Sequence, residues 1–219
     1  MALRLFLDSA DPQAWQQWLP SGLFHGVTTN PTLLHRAGQP CSLEGLAQLA
    51  PVALAHGIQE LHLQAWGPSA ADMLHCGRAL AALAPGRIAV KLPVTPQGAA
   101  VARHLVGDGI PITFTACYEP HQVLIAAALG AAYIAPYLGR INDQGRDGAA
   151  AVIAMQRSLS GLGSSVRLLV ASLRQPGELS QLAAEGLNTF TISADLAAAL
   201  VHCDATEAAS AQFERDAQP

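Results

Sequence analysis

Lysine is almost absent from this chain. Of the twelve basic residues among 219, eleven are Arg and one is Lys, at position 91. Charge of either sign is scarce: 13% of residues, low for a domain standing alone in water. Part of the surface is therefore expected to be covered by other subunits. The formal charge is only −4 and no basic cluster occurs, which argues against nucleic acid as a partner. No apolar run of about 18 residues is free of charges or breakers, so no membrane span is expected. Met1-Ala2-Leu3-Arg4-Leu5-Phe6-Leu7-Asp8 is a short apolar stretch running into an acid, unlike a signal peptide. Cys41, Cys76, Cys117 and Cys203 are widely spaced with no C-x-x-C, which fits reduced thiols in a cytoplasmic protein. Motifs for zinc proteases (H-E-x-x-H), serine hydrolases (G-x-S-x-G), P-loops and dinucleotide folds (G-x-G-x-x-G) are missing, so no metal or cofactor is expected.

What the chain does contain is a solitary amine in an unusual place. Lys91 lies within Ile88-Ala89-Val90-Lys91-Leu92-Pro93-Val94, a run that reads as a strand buried on both faces, as in a parallel sheet. An ammonium there costs several kcal/mol unless it is paired or gives up its proton. Burial lowers the amine's pKa and leaves a nucleophile able to form a Schiff base with a carbonyl. The structural alternative is a side chain that snorkels to the strand end.

Short apolar runs alternate with Ala- and Leu-rich stretches along the whole length. Strands are expected at Leu3–Asp8, Gly26–Thr29, Glu60–Trp66, Ile88–Val94, Pro111–Ala116, Ala132–Pro136, Arg167–Ser172 and Thr189–Ile192. Helices are expected at 12–19, 43–55, 70–83, 96–106, 120–128, 148–159, 176–184 and 195–201. Asp11-Pro12, Thr95-Pro96 and Glu119-Pro120 set proline at a first helical turn. At 51% hydrophobic the chain can build a large core. Eight strand–helix units predict one α/β domain over residues 1–219, a (β/α)8 TIM barrel. A doubly wound sheet is the alternative. An amphipathic tail helix is expected within 204–219, with Ala209 and Phe213 on one face.

In such a barrel, reactive groups sit at the C-terminal ends of the strands. Those ends carry Asp8 and Ser9, then Thr28, Thr29 and Asn30, then Gln64, Lys91, Thr113 and Thr115, Tyr137 with Arg140 beyond it, and Ser172 with Arg174 beyond it. Each also has a plain reading: Asp8-Ser9 or Ser172 as a helix cap, Thr29-Asn30-Pro31 as a turn, either Arg as a solvated charge. His62, two residues before Gln64, is not counted among the inward groups, because strand phase is open by one residue. Together the set supplies an amine nucleophile, an acid, hydroxyls and amides, and two guanidinium groups for a phosphate or carboxylate.

These residues also form recognisable strings. Phe6-Leu7-Asp8-Ser9-Ala10, Gly26-Val27-Thr28-Thr29-Asn30-Pro31, Val90-Lys91-Leu92-Pro93-Val94, Tyr133-Ile134-Ala135-Pro136-Tyr137-Leu138-Gly139-Arg140-Ile141-Asn142-Asp143 and Val170-Ala171-Ser172 resemble, in order and spacing, the small branch of the transaldolase family. That branch holds short transaldolases and fructose-6-phosphate aldolases. The resemblance covers nearly the whole chain. It implies a Schiff-base lysine on the fourth strand, where Lys91 falls, and a ketose phosphate as substrate. It further implies that Asp8 exchanges the proton of the C4 hydroxyl and that Asn30, beside Thr29, holds a substrate hydroxyl. Gln64, Thr115 and Tyr137 would surround a proton-shuttling water; Arg140 and Ser172 would bind phosphate, with Arg174 a second cation. Homo-oligomers, pentamers or decamers with the last helix on a neighbour, are implied as well.

Within that branch two positions divide the activities. Transaldolases usually carry Glu and Phe where this chain has Gln64 and Tyr137; the aldolases carry Gln and Tyr. The loop Gly139-Arg140-Ile141-Asn142-Asp143 looks more like that of the small transaldolases. The aldolase reading is favoured, with a transaldolase of the pentose phosphate pathway as alternative and a non-catalytic sugar-phosphate-binding barrel as a remote third.

Overall fold

A computed structural model describes residues 2–218. Eight parallel strands follow one another around a barrel: β1 (Arg4–Asp8), β2 (Gly26–Thr28), β3 (Glu60–Gln64), β4 (Ile88–Pro93), β5 (Ile112–Cys117), β6 (Tyr133–Pro136), β7 (Arg167–Leu168) and β8 (Thr189–Ile192). Bonds from Val170 N to Thr189 O and from Thr191 N to Val170 O close the ring between β7 and β8. The helices are α1 (Pro12–Trp18), α2 (Pro31–Arg36), α3 (Leu43–Leu54), α4 (Ala70–Ala82), α5 (Pro96–Gly107), α6 (Val123–Leu129), α7 (Leu138–Asp143), α8 (Gly148–Gly161), α9 (Pro176–Ala184), α10 (Ala194–Val201) and α11 (Asp204–Asp216). The chain is the single-domain (β/α)8 barrel that its eight strand–helix units predict. No helix among the described residues is long and apolar enough to cross a membrane.

Local chemistry sets the element ends. Asp11, Ser42, Ser69, Thr95, Asp147 and Ser193 each cap a helix by accepting a backbone N–H of its first turn. Glu119-Pro120 opens a 3₁₀ turn, Pro120–Gln122, which then passes into α6. Two helices, α2 and α7, are unexpected. Each has six residues, too few for an apolar period to register. The seventh strand is shorter than Arg167–Ser172, because beyond Leu168 the chain makes only isolated bridges, Val170 to Phe190 and Ala171 to Tyr137.

The main core lies between the strands and the helical shell, where Leu7, Val27, Leu61, Leu63, Val90, Leu92, Phe114 and Ile134 are buried. The opposite phase of each strand fills the barrel interior. Phe6, Tyr133, Ala135 and Leu169 form a small apolar plug there, and polar groups lie above and below it. Gly26 makes the plug possible, since a Cβ at that position would stand 2.8 Å from the Phe6 ring and 2.2 Å from Glu60 O. Trp15, fully buried, donates from Nε1 to Ser9 O at 3.0 Å and ties down the chain just after β1. Among the described residues, two that are not glycine have left-handed backbone, Ala116 (φ 57°) in a bulge at the end of β5 and Ser172 (φ 61°) after β7. Both lie at the C-terminal mouth, where strained backbone marks functional sites more often than elsewhere.

Candidate active site

Lys91 points into the barrel and is 5% exposed. Its Nζ donates to Thr29 O at 2.6 Å, its one hydrogen bond among the described residues. Burial pulls its pKa below the ordinary lysine value, and the Asp8 charge only partly opposes this. The side chain does not snorkel out; it borders a pocket of about 120 Å³ whose walls include Asp8, Asn30, Tyr137, Arg140 and Ser172.

Asp8 does not cap the following helix. Asp11 does so, and the Asp11 N–H is taken by Ser9 Oγ at 3.1 Å. Asp8 instead accepts from Thr28 Oγ1 at 2.6 Å, and the Thr191 hydroxyl lies 2.6 Å from the same Thr28 oxygen. One carboxylate oxygen is thereby fixed, and the other has no partner among the described residues. Thr191 is a pocket residue that sequence reading missed, and Thr28 is one that it placed at the strand end without a role. The signal was available: Thr28 is two residues from inward Gly26, and Thr191 pairs with inward Phe6.

Tyr137 OH lies 2.7 Å from Thr115 Oγ1. Burial raises its pKa above the ordinary tyrosine value, and the Asp8 charge adds to the effect, so the phenol keeps its proton. The Arg140 guanidinium stacks over the Tyr137 ring, 4.8 Å from its centroid, and reaches Tyr118 OH at 3.5 Å. Gly139 lets α7 close on Ser172, because its N–H donates to Ser172 O at 3.0 Å and a Cβ would meet that oxygen at 2.4 Å.

The remaining expected residues divide. Asn30 caps α2 through Oδ1, which accepts from Leu33 N at 3.0 Å, leaving its amide nitrogen for the pocket. Thr29 contributes its carbonyl to Lys91, while its hydroxyl is spent on His62 O at 3.2 Å. Gln64 is the cross-strand neighbour of Lys91 on β3 but does not line the pocket. Arg174 is not brought to the pocket: it pairs with Asp143 Oδ2 at 2.6 Å on the surface. Arg36, at the end of α2, lines the pocket instead. Its single position in a short helix gave no periodic signal. Among the described residues, no three His, Cys, Asp or Glu side chains converge as metal ligands.

The chain as a whole is matched by known proteins. The family model described as transaldolase/fructose-6-phosphate aldolase matches residues 5–218. The chain belongs to that family. It is 33% identical to a "Probable transaldolase" of a Caulobacter species, over 98% of this chain and 96% of that protein. A "Probable transaldolase" of Phenylobacterium zucineum is 32% identical at the same coverage. Among solved structures, a mutant flavocytochrome b2 with pyruvate bound superposes with a TM-score of 0.59 over 88% of this chain and 56% of that one, at 12% identity. That likeness is one of barrel fold alone, and this chain spans little more than half of that protein.

The strand phase of β3 also needs correcting. His62 faces the barrel interior, fully buried, with Nδ1 3.0 Å from Thr113 Oγ1 and Nε2 3.2 Å from Glu60 Oε2. Glu60, His62 and Gln64 share the inward phase, so expecting Gln64 to face inward required the same of His62.

Proposed function

We propose that this family member is a Schiff-base aldolase that cleaves or forms the C3–C4 bond of a ketose phosphate such as fructose 6-phosphate. The observation that carries the reading is the buried, pKa-lowered Lys91 amine sharing a pocket with Asp8. The Nζ lone pair adds to the C2 ketone, and loss of water gives an iminium. Asp8 takes the C4 hydroxyl proton; the C3–C4 electrons flow to the iminium, glyceraldehyde 3-phosphate leaves, and an enamine of the three-carbon unit stays on Lys91. Protonation at C3 and addition of water to the iminium release dihydroxyacetone and restore the amine. Arg140 and Ser172 serve the phosphate. The Asn30 amide serves a substrate hydroxyl.

Release rather than transfer is supported by Tyr137. Its protonated hydroxyl, paired with Thr115, can give and take the proton of the hydrolytic water, which a Phe could not. Gln64, beside Lys91 on β3, keeps the neutral amide of the aldolase pair. The second reading, a transaldolase that hands the three-carbon unit to another aldose phosphate, is favoured by the names of the relatives and by the 139–143 loop. Supplying fructose 6-phosphate with and without erythrose 4-phosphate separates them. The aldolase turns over without the acceptor and gives glyceraldehyde 3-phosphate and free dihydroxyacetone; a transaldolase turns over only with the acceptor, and then gives glyceraldehyde 3-phosphate and sedoheptulose 7-phosphate with no free dihydroxyacetone.

Assembly is part of the proposal. No residue of α11 is buried and Phe213 is 70% exposed, so its apolar face is suited to a neighbouring copy in a ring. Deleting residues from Thr206 onward should lower the molar mass in light scattering, and a monomeric full-length protein would refute the ring.

A further inference from the structure

The opposite, N-terminal mouth of the barrel holds a second pocket, of about 340 Å³, lined by Arg4, Arg87, Arg167, Glu60, Tyr133 and Ser165 among others. Three half-buried guanidinium groups there face one carboxylate. That carboxylate is fully engaged: Glu60 accepts from Arg4 Nη1 at 2.7 Å and Tyr133 OH at 2.7 Å, and meets His25 Nε2 at 3.0 Å and His62 Nε2 at 3.2 Å.

Each arginine is anchored by one terminal nitrogen. Arg4 uses Nη1, for Glu60 and Tyr133. Arg87 uses Nη2, for Ile58 O. Arg167 uses Nη1, for Ala2 O, Asn188 Oδ1 and Thr189 Oγ1 at 3.1–3.3 Å. Among the described residues the other terminal nitrogen and Nε of all three lack protein acceptors, as does the Ser165 hydroxyl. The anchored edges fix each fork in place, so little side-chain entropy remains to be lost on binding. The charge of Arg4 and burial together pull the Arg167 pKa below its ordinary value, burial being the larger cause. Positive charge is thus crowded here, three guanidinium groups against the single carboxylate of Glu60.

We infer that this floor pocket binds a tetrahedral phosphate dianion, inorganic phosphate or the phosphate of a small monoester, cradled by the free edges of Arg4, Arg87 and Arg167 and the Ser165 hydroxyl. A carboxylate has two oxygens for three forks. A phosphate has enough oxygens for all three, and its double charge matches the excess. The site is separate from the Lys91 pocket, and the inference does not depend on the proposed reaction.

The test is equilibrium dialysis of inorganic phosphate at constant ionic strength on full-length protein. Arg140→Ala, which disarms the upper mouth, should still bind one phosphate per chain. Ser165→Asp sets a carboxylate on the exposed rim of the pocket, where the Ser165 hydroxyl has no partner among the described residues. It should weaken floor binding ~10-fold or more, the scale of losing charge-assisted hydrogen bonds, with turnover unchanged. Arg87→Gln should weaken it similarly. Competition by glycerol 3-phosphate points to a monoester, and its absence to free phosphate. If the Arg140→Ala protein binds no phosphate, or if Ser165→Asp and Arg87→Gln bind it as tightly as the parent, the inference is overturned.

Discussion

The two mouths of this barrel hold similar chemistry in opposite states. At the floor, the Glu60 carboxylate is met by Arg4, Tyr133, His25 and His62. Burial alone would raise its pKa, yet the bonds from His62, Tyr133 and His25 outweigh it and hold the group well below the usual carboxylate range. At the upper mouth, among the described residues, Asp8 has one partner, Thr28, and Lys91 has one, a backbone carbonyl. Polar groups spent on one another hold a structure together; polar groups left with spare capacity beside a pocket are free to meet a substrate. The same alternation of inward side chains supplies both ends, and only the number of partners separates a strut from a reactive centre.

The largest effect expected from this contrast is at Lys91. Lys91→Met should abolish turnover while keeping the fold, and should stabilise the protein, since an apolar chain replaces a buried amine. The sign with pH follows from the lowered pKa. The unfolded chain holds the proton more tightly than the folded one, so the penalty is full below the folded pKa and fades as pH rises toward the ordinary 10.5. Urea melts of both proteins across that range should therefore converge at high pH.

Asp8 comes next. Asp8→Asn cannot accept the C4 hydroxyl proton, so cleavage should fall by ~10², the usual scale for a lost general base, while imine formation survives. Near-normal cleavage in a steady-state assay would make Asp8 another strut.

The floor should answer in stability rather than in activity. Glu60→Gln leaves Arg4 without its charge partner and should cost ~3 kcal/mol or more in denaturant melts. The parent's floor should also weaken in acid. His62, held below its ordinary 6.5 chiefly by burial, resists the proton that the unfolded chain takes up, so stability falls as pH drops through 6.5. Glu60 adds a further loss below its ordinary 4.5. A Glu60→Gln protein that keeps stability and loses turnover would reverse the contrast between the mouths.

The smallest expected effect is at Tyr137. Tyr137→Phe removes one hydroxyl but leaves that of Thr115 beside it, so dihydroxyacetone release should fall by roughly several-fold, short of the loss of a general base, and more than transfer to erythrose 4-phosphate falls. Equal losses in the two product assays would leave Tyr137 as packing under Arg140.

Much of this was legible in the residues. Strand order follows from eight β-rich runs, and Lys91 is conspicuous because the sequence has no other lysine. Asp8, Asn30, Tyr137, Arg140 and Ser172 fall on one mouth as the strand ends imply. Arg174 was not legible, because whether a loop arginine faces a pocket or a surface acid such as Asp143 depends on the path of α7. The floor was not legible either. Glu60 and His62 on β3 are far in sequence from Arg4 and Tyr133, and the four become a network only when parallel strands bring them into the same layer, with Thr113 paired to Tyr133 and Thr28 to His62.

The central claim is that the amine left almost unpartnered at the upper mouth is the nucleophile. Borohydride reduction of the protein with fructose 6-phosphate, followed by peptide mass spectrometry, tests it most directly. A three-carbon adduct on Lys91 alone, absent from Lys91→Met, is the predicted result. An adduct that persists in the mutant anywhere but the N-terminal amine, or no adduct on a turning-over enzyme, would contradict it.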